Sequence, residues 1–119
     1  MDDKNIRIQH FRNLVAIASA DGVMDEDEKD FLIEKAEELG IPEEQMEEIL
    51  NNLEGLEFEV PQNMEDKEDQ LADIVFMTMI DGEIHDTEYN LCLKIADKLG
   101  LKKEDVDEVI NLTRRLWAN

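Results

Sequence analysis

The segment Ala20-Asp21-Gly22-Val23-Met24-Asp25-Glu26-Asp27-Glu28 returns sixty residues later as Ile80-Asp81-Gly82-Glu83-Ile84-His85-Asp86-Thr87-Glu88. Each copy follows an apolar run and opens a new amphipathic one, and in each a Glu stands seven residues after the Asp of an Asp-Gly pair. At the same shift Ala36 meets Ala96, Leu39-Gly40 meets Leu99-Gly100, Glu44 meets Glu104 and Glu48 meets Glu108, without a gap. Self-similarity at a fixed spacing constrains a fold more tightly than composition does, because each copy must be the same supersecondary unit.

That unit is helical. Ile6, Ile8, Phe11, Leu14, Val15, Ile17 and Ala18 predict a first helix over about 5–20, and Phe31, Leu32, Ala36 and Leu39 a second from about Asp25 to Leu39. Gly40 suits the residue after a helix end, where φ is positive. Pro42 then suits the first turn of a third helix carrying Met46, Ile49, Leu50 and Leu53. Leu71, Ile74, Val75 and Ile80 predict a fourth helix, apolar almost all round, and Leu91, Leu93, Ile95, Ala96 and Leu99 a fifth, stopped by Gly100. Val106, Val109, Ile110, Leu112 and Leu116 predict a sixth, ending near Trp117. The expected fold is all-α: a pseudo-twofold helical bundle of two three-helix repeats in a single domain over 1–119. Repeat one covers about 5–53, the connector about 54–66 and repeat two about 67–117. Helices one and four are expected to be central and antiparallel. The alternation Leu56-Glu57-Phe58-Glu59-Val60 reads as an extended connector that tucks Leu56, Phe58 and Val60 against the bundle, since a lone strand has no partner.

The chain sets 32 Asp plus Glu against 12 Lys plus Arg, for a net charge of −20. Such a surface repels phosphate backbones and anionic headgroups, so neither nucleic acid nor membrane insertion is expected. It favours cations and basic protein surfaces. The single cysteine, Cys92, excludes an internal disulfide and reads as a small core residue on an apolar helix face. The N-terminal Met1-Asp2-Asp3-Lys4 has no signal-peptide character, and the apolar run Ile74–Ile80 is too short to span a bilayer, so the expected location is cytoplasmic.

Two readings fit the repeated loops. In the structural one, Gly22 and Gly82 end the preceding helices as left-handed residues. Asp25 caps the next helix, with Glu28 three residues on as its capping-box partner. The second copy fits less well, because His85 stands where Asp25 does and is a poor N-cap. The Asp of each Asp-Gly pair, if in the last turn of a helix, also opposes the macrodipole. In the functional reading the loops offer hard carboxylate oxygens to a divalent cation, Ca²⁺, Mg²⁺ or Mn²⁺ ahead of Zn²⁺, and His85 adds a nitrogen to the second loop. The loop is not an EF-hand: counted from Asp21 the third residue is Val23 and the sixth Glu26, and counted from Asp25 the sixth is Asp30.

Two apolar helices that each run up to Asp-Gly, each followed by a helix opened by Glu, resemble the TerB family of tellurite-resistance proteins. They resemble also the broader TerB-like domains, one of which is fused to a membrane-anchored DnaJ-type co-chaperone. The resemblance spans about Phe11 to Ile110. It implies an all-helical domain whose acidic loop residues bind metal, and by position it selects Asp21, Glu28, Asp81 and Glu88. Ile80 and His85 depart from the family pattern in the second copy. The resemblance implies a non-enzymatic, cation-binding module associated with tellurite resistance or stress response. The alternative is an acidic, co-chaperone-like protein-interaction adaptor without metal.

No catalytic grouping competes. Ser19 is the only serine, Cys92 has no sign of activation, and no Gly-rich phosphate loop is present. His10 is expected at the surface or its boundary. Arg114 and Arg115 oppose the last helix's dipole, and Trp117 is read as a lid on the core, with an exposed anchor for a partner as the alternative.

Overall fold

A computed structural model describes residues 3–20, 24–80 and 82–117. Six α-helices run in the order α1 (Lys4–Ala18), α2 (Glu26–Glu38), α3 (Glu43–Leu50), α4 (Met64–Thr78), α5 (Asp86–Leu99) and α6 (Lys103–Trp117). A single 3₁₀ turn, Leu53–Gly55, follows α3, and no strand occurs among the described residues. The chain is all-α, as its apolar periodicity requires. It divides into two compact units, Met1–Glu59 and Val60–Asn119.

In the first unit α2 packs on both α1 and α3. Phe11, Leu14, Val15 and Ala18 of α1 meet a core that includes Leu32 and Ala36 of α2 and Met46 and Ile49 of α3. In the second unit α4, α5 and α6 all pack on one another. Their core includes Leu71, Ile74, Val75, Cys92, Ile95, Ala96, Leu99, Val106 and Ile110. Buried positions recur at the sixty-residue shift: Phe11 with Leu71, Leu14 with Ile74, Val15 with Val75, Leu32 with Cys92, Ala36 with Ala96, and Met46 with Val106.

Both second helices stop by the same device. After α2, the Ile41 N–H donates to the Ala36 carbonyl at 2.9 Å and the Gly40 N–H to that of Glu37 at 3.0 Å. After α5, the Leu101 N–H donates to Ala96 at 2.8 Å and the Gly100 N–H to Asp97 at 3.0 Å. This is the Schellman pair, which satisfies carbonyls that a helix end leaves open and requires a left-handed residue. Gly40 at φ 73° and Gly100 at φ 75° supply it. Pro42 lies one place earlier than expected, at the N-cap of α3, and Leu53 falls in the 3₁₀ turn beyond that helix.

The extended connector is held by one side chain that the apolar pattern gave no reason to single out. Asn13, in the middle of α1, is fully buried. Its Oδ1 accepts from the Glu59 backbone N–H at 2.9 Å, and its Nδ2 donates to the Glu59 carbonyl at 2.8 Å. The Gln9 amide donates to the same Oδ1 at 2.9 Å. Leu56 and Phe58 are half-buried, but Val60 is 45% exposed and is not tucked in as expected.

Replacing Asn13 by Ala leaves both backbone groups of Glu59 without their partner. Urea titration is expected to show a loss of about 2–4 kcal/mol, against less than about 0.5 kcal/mol for an exposed control such as Glu57→Ala. Equal, small effects of the two substitutions would show that the connector is not held by Asn13.

Candidate functional site

The helices end before the Asp-Gly pairs. α1 closes at Ala18 with Ser19 as C-cap, and α4 closes at Thr78 with Met79 as C-cap. The last turn of each helix is therefore complete three residues before position 21 or 81, and the expected conflict with the macrodipole does not arise there. Gly82 is not the residue that ends α4. It lies in the following turn at φ 96°, its N–H donating to the Met79 carbonyl at 2.8 Å. Asp21, Gly22 and Asp81 lie outside the described residues.

The following helices begin as capped structures. Asp25 is the N-cap of α2, and its Oδ1 accepts from the Glu28 N–H at 2.8 Å. That is the expected bond, typically worth about 1 kcal/mol. His85, although a poor N-cap, is the N-cap of α5. Glu88 keeps its capping-box spacing: Oε1 accepts from the His85 N–H at 3.2 Å. A poor capping side chain is thus offset by the reciprocal half of the box. Asp105 does the same at α6, accepting from the Lys102 N–H at 2.8 Å.

Glu28 and Glu88 therefore occupy the same place, the third residue of a helix directly after a loop, and both are half-buried. Glu28 belongs to the first unit and Glu88 to the second. Among the described residues no group of three or more His, Cys, Asp and Glu is gathered as a metal site. A carboxylate has about four lone-pair positions, so Glu88 can serve its cap and still present an oxygen to a cation.

Other groups singled out by the sequence have structural roles. Cys92 is fully buried, with its Sγ 4.0 Å from the Thr78 hydroxyl. Burial pushes its thiol from the ordinary 9.0 up to about 11, with the Thr78 hydrogen bond acting weakly against the rise. It is an inert core residue. His10 is 3% exposed, so it is interior and not at the boundary. The first-helix pattern concealed this, because His10 adjoins Phe11 on the packed face. Trp117 packs its ring on Phe76, with centroids 6.3 Å apart, yet remains 47% exposed, so it covers the core with one face only.

Two features were missed in the sequence. The Tyr89 hydroxyl donates to Asp107 Oδ1 at 2.6 Å, and Lys103 Nζ lies 2.9 Å from Oδ2. These bonds, Tyr89 first, hold the Asp107 carboxyl below its ordinary value, while the Asp107 bond raises both Tyr89 and Lys103. The cluster straps α5 to α6 at the surface. In the first unit a cavity of about 150 Å³ separates Ile8 and Arg12 of α1 from Gln45, Glu48 and Ile49 of α3. Its lining includes none of the Asp-Gly loop residues.

The first unit carries the likeness to known proteins. The family model for tellurite resistance protein TerB matches residues 1–51. No curated protein and no solved structure matches the chain.

The buried thiol gives a pH test. Cys92 ionises more readily in the unfolded chain, so its contribution to stability is whole below pH 9 and is lost as pH rises from about 9 to about 11. Stability measured by denaturant titration should fall across that window in the wild type. The fall should be shallower in Cys92→Ala, and matching slopes would refute the assignment. The match to the TerB model covers residues 1–51 of 119, so the likeness to TerB belongs to the first half of this all-helical chain.

Proposed function

We propose that this chain is a TerB-like, non-enzymatic module that binds a divalent cation through its Asp-Gly loops, in a tellurite-resistance or stress-response setting. Asp21 with Glu28 would hold an ion in the first loop, and Asp81 with Glu88 in the second. The observation that carries the reading is the equivalent placement of Glu28 and Glu88, each in the first turn of the helix that follows its loop. The positive end of a helix suits a carboxylate, but it also opposes a nearby cation. One Glu is therefore insufficient, and the Asp seven residues earlier is the group the site requires. Oxygen ligands alone favour Ca²⁺, Mg²⁺ or Mn²⁺ over Zn²⁺. Coordination would neutralise crowded carboxylates in a chain of net charge −20 and stabilise the loops. Ile80 and His85 depart from the TerB pattern in the second loop, which makes the first loop the stronger site.

The acidic-adaptor reading has its own support. Glu43, Glu44, Glu47 and Glu48 of α3 are all exposed, and that helix carries no basic residue. Such a face suits a basic protein surface, with binding that weakens as salt rises and ignores chelator.

Calorimetry with Ca²⁺, Mg²⁺, Mn²⁺ and Zn²⁺ separates the two. On the cation reading the wild type gives a saturable isotherm. Asp21→Asn and Glu28→Gln each weaken the tighter phase by about tenfold or more, since each removes a charged ligand. Asp81→Asn affects only the weaker phase. A flat wild-type trace, or isotherms unmoved by all three substitutions, would reject these ligands.

A further inference from the structure

α6 has more apolar surface than its own unit uses. Val106, Ile110 and Thr113 point inward and are buried. Leu112 is 44% and Leu116 59% exposed, and Val109 is half-buried beside them. At helical spacing, Val109, Leu112 and Leu116 form one stripe, adjacent to the buried one and turned outward. Glu104, Glu108 and Arg115, all exposed, line the outer edge of this stripe. The Tyr89–Asp107–Lys103 strap lies on the other side of the helix and leaves the stripe open.

Charge along the helix identifies what this face accepts. The first half of α6 carries Glu104, Asp105, Asp107 and Glu108 against Lys103, and the second half carries Arg114 and Arg115 with no acid. In a chain of net charge −20, an acidic half followed by a basic half on one apolar helix is complementary to itself in reverse. Laid parallel, two copies would set acid on acid and arginine on arginine. Laid antiparallel about a twofold axis near Leu112, Glu108 of each copy meets Arg115 of the other, while Leu112 and Leu116 close over the centre. We propose that the outer face of α6 is a self-docking surface on which a second copy of this chain pairs antiparallel, through Leu112 and Leu116 and two reciprocal Glu108–Arg115 ion pairs. Long-range repulsion between two such acidic chains opposes the contact. The dimer therefore forms at physiological ionic strength, where the screening length is about 8 Å, and not at low salt.

Sedimentation velocity on the full chain at physiological salt, from micromolar to millimolar protein, tests this. The wild type should shift from monomer to dimer as concentration rises, and Leu112→Asp should lose the dimer. Arg115→Glu and Glu108→Arg should each weaken association by about tenfold or more, because each sets like charges opposite one another twice. An equimolar mixture of the two should recover wild-type association, since the acidic edge of one then faces the basic edge of the other. General charge repulsion predicts a different pattern: Glu108→Arg lowers the net negative charge and would associate more strongly, not less. All substituted residues are exposed, and unchanged circular dichroism and melting would establish folding. A wild type that stays monomeric at the highest concentration overturns the proposal. So does a charge variant that pairs like the wild type, or a mixture that fails to recover.

Discussion

The Asn13 carboxamide closes the first unit. A buried amide without partners costs about 1–3 kcal/mol, and an extended segment beside a helix has backbone groups in the same difficulty. Asn13 and Glu59 resolve both at once. The carboxamide offers one donor and one acceptor at the spacing of a peptide group, and it takes the N–H and C=O of a single residue. Gln9, one turn earlier, fixes the amide's orientation by donating to the shared oxygen. An extended stretch can therefore lie against a helical unit without a neighbouring strand, and the unit's boundary at Glu59 coincides with the last residue so held.

Much of the acidic excess is placed where helices tolerate it. Glu26, Asp27 and Glu28 open α2, Glu43 and Glu44 open α3, and Glu65 and Asp66 open α4. Asp86 and Glu88 open α5, and Glu104 and Asp105 open α6. Each lies near the positive end of a helix dipole, and Glu88 and Asp105 also accept from backbone donors that a helix start leaves open. The same carboxylates are thus committed to structure before any ligand is considered. Glu88 shows the tension most clearly, since its bond to His85 rescues a cap that histidine makes poorly. A cation in that loop has to share an oxygen donor with the fold itself.

The helices were legible because their signals are local. Apolar spacing, Gly40, Gly100 and the Asp25 cap each act within a turn or two, and each appears where the pattern put it. What stayed hidden depends on partners distant in the chain. Asn13 reads as a polar interruption of α1 until Glu59, 46 positions away, is placed beside it. His10 reads as a boundary residue until its neighbours cover it. Gly82 was legible as a residue needing positive φ, but its place beyond the end of α4 was not, because a turn and a helix end demand the same glycine. Of the four residues chosen for the cation site, the described structure locates Glu28 and Glu88 in first turns, while Asp21 and Asp81 lie outside it.

α6 shows why periodicity alone overstates a core. Five apolar residues marked α6 as a helix, yet inside the core Thr113 is fully buried while Leu112 and Leu116 are exposed. A polar residue goes inside here because its hydroxyl donates to the Val109 carbonyl at 2.8 Å, which removes the penalty for burying it. Two leucines stay outside because α4 and α5 can cover only one side of the helix. The two units differ on this point. In the first, the helix corresponding to α6 is α3, which ends at Leu50 and leaves a cavity toward α1. In the second, the helix packs directly on α4, continues to Trp117, and carries its surplus apolar surface outward. The second unit, whose last helix runs on to Trp117 with Leu112 and Leu116 exposed, has apolar surface to offer another molecule. In a chain this acidic, the surface best matched to Arg115 and Glu108 together is the same helix run in the opposite direction.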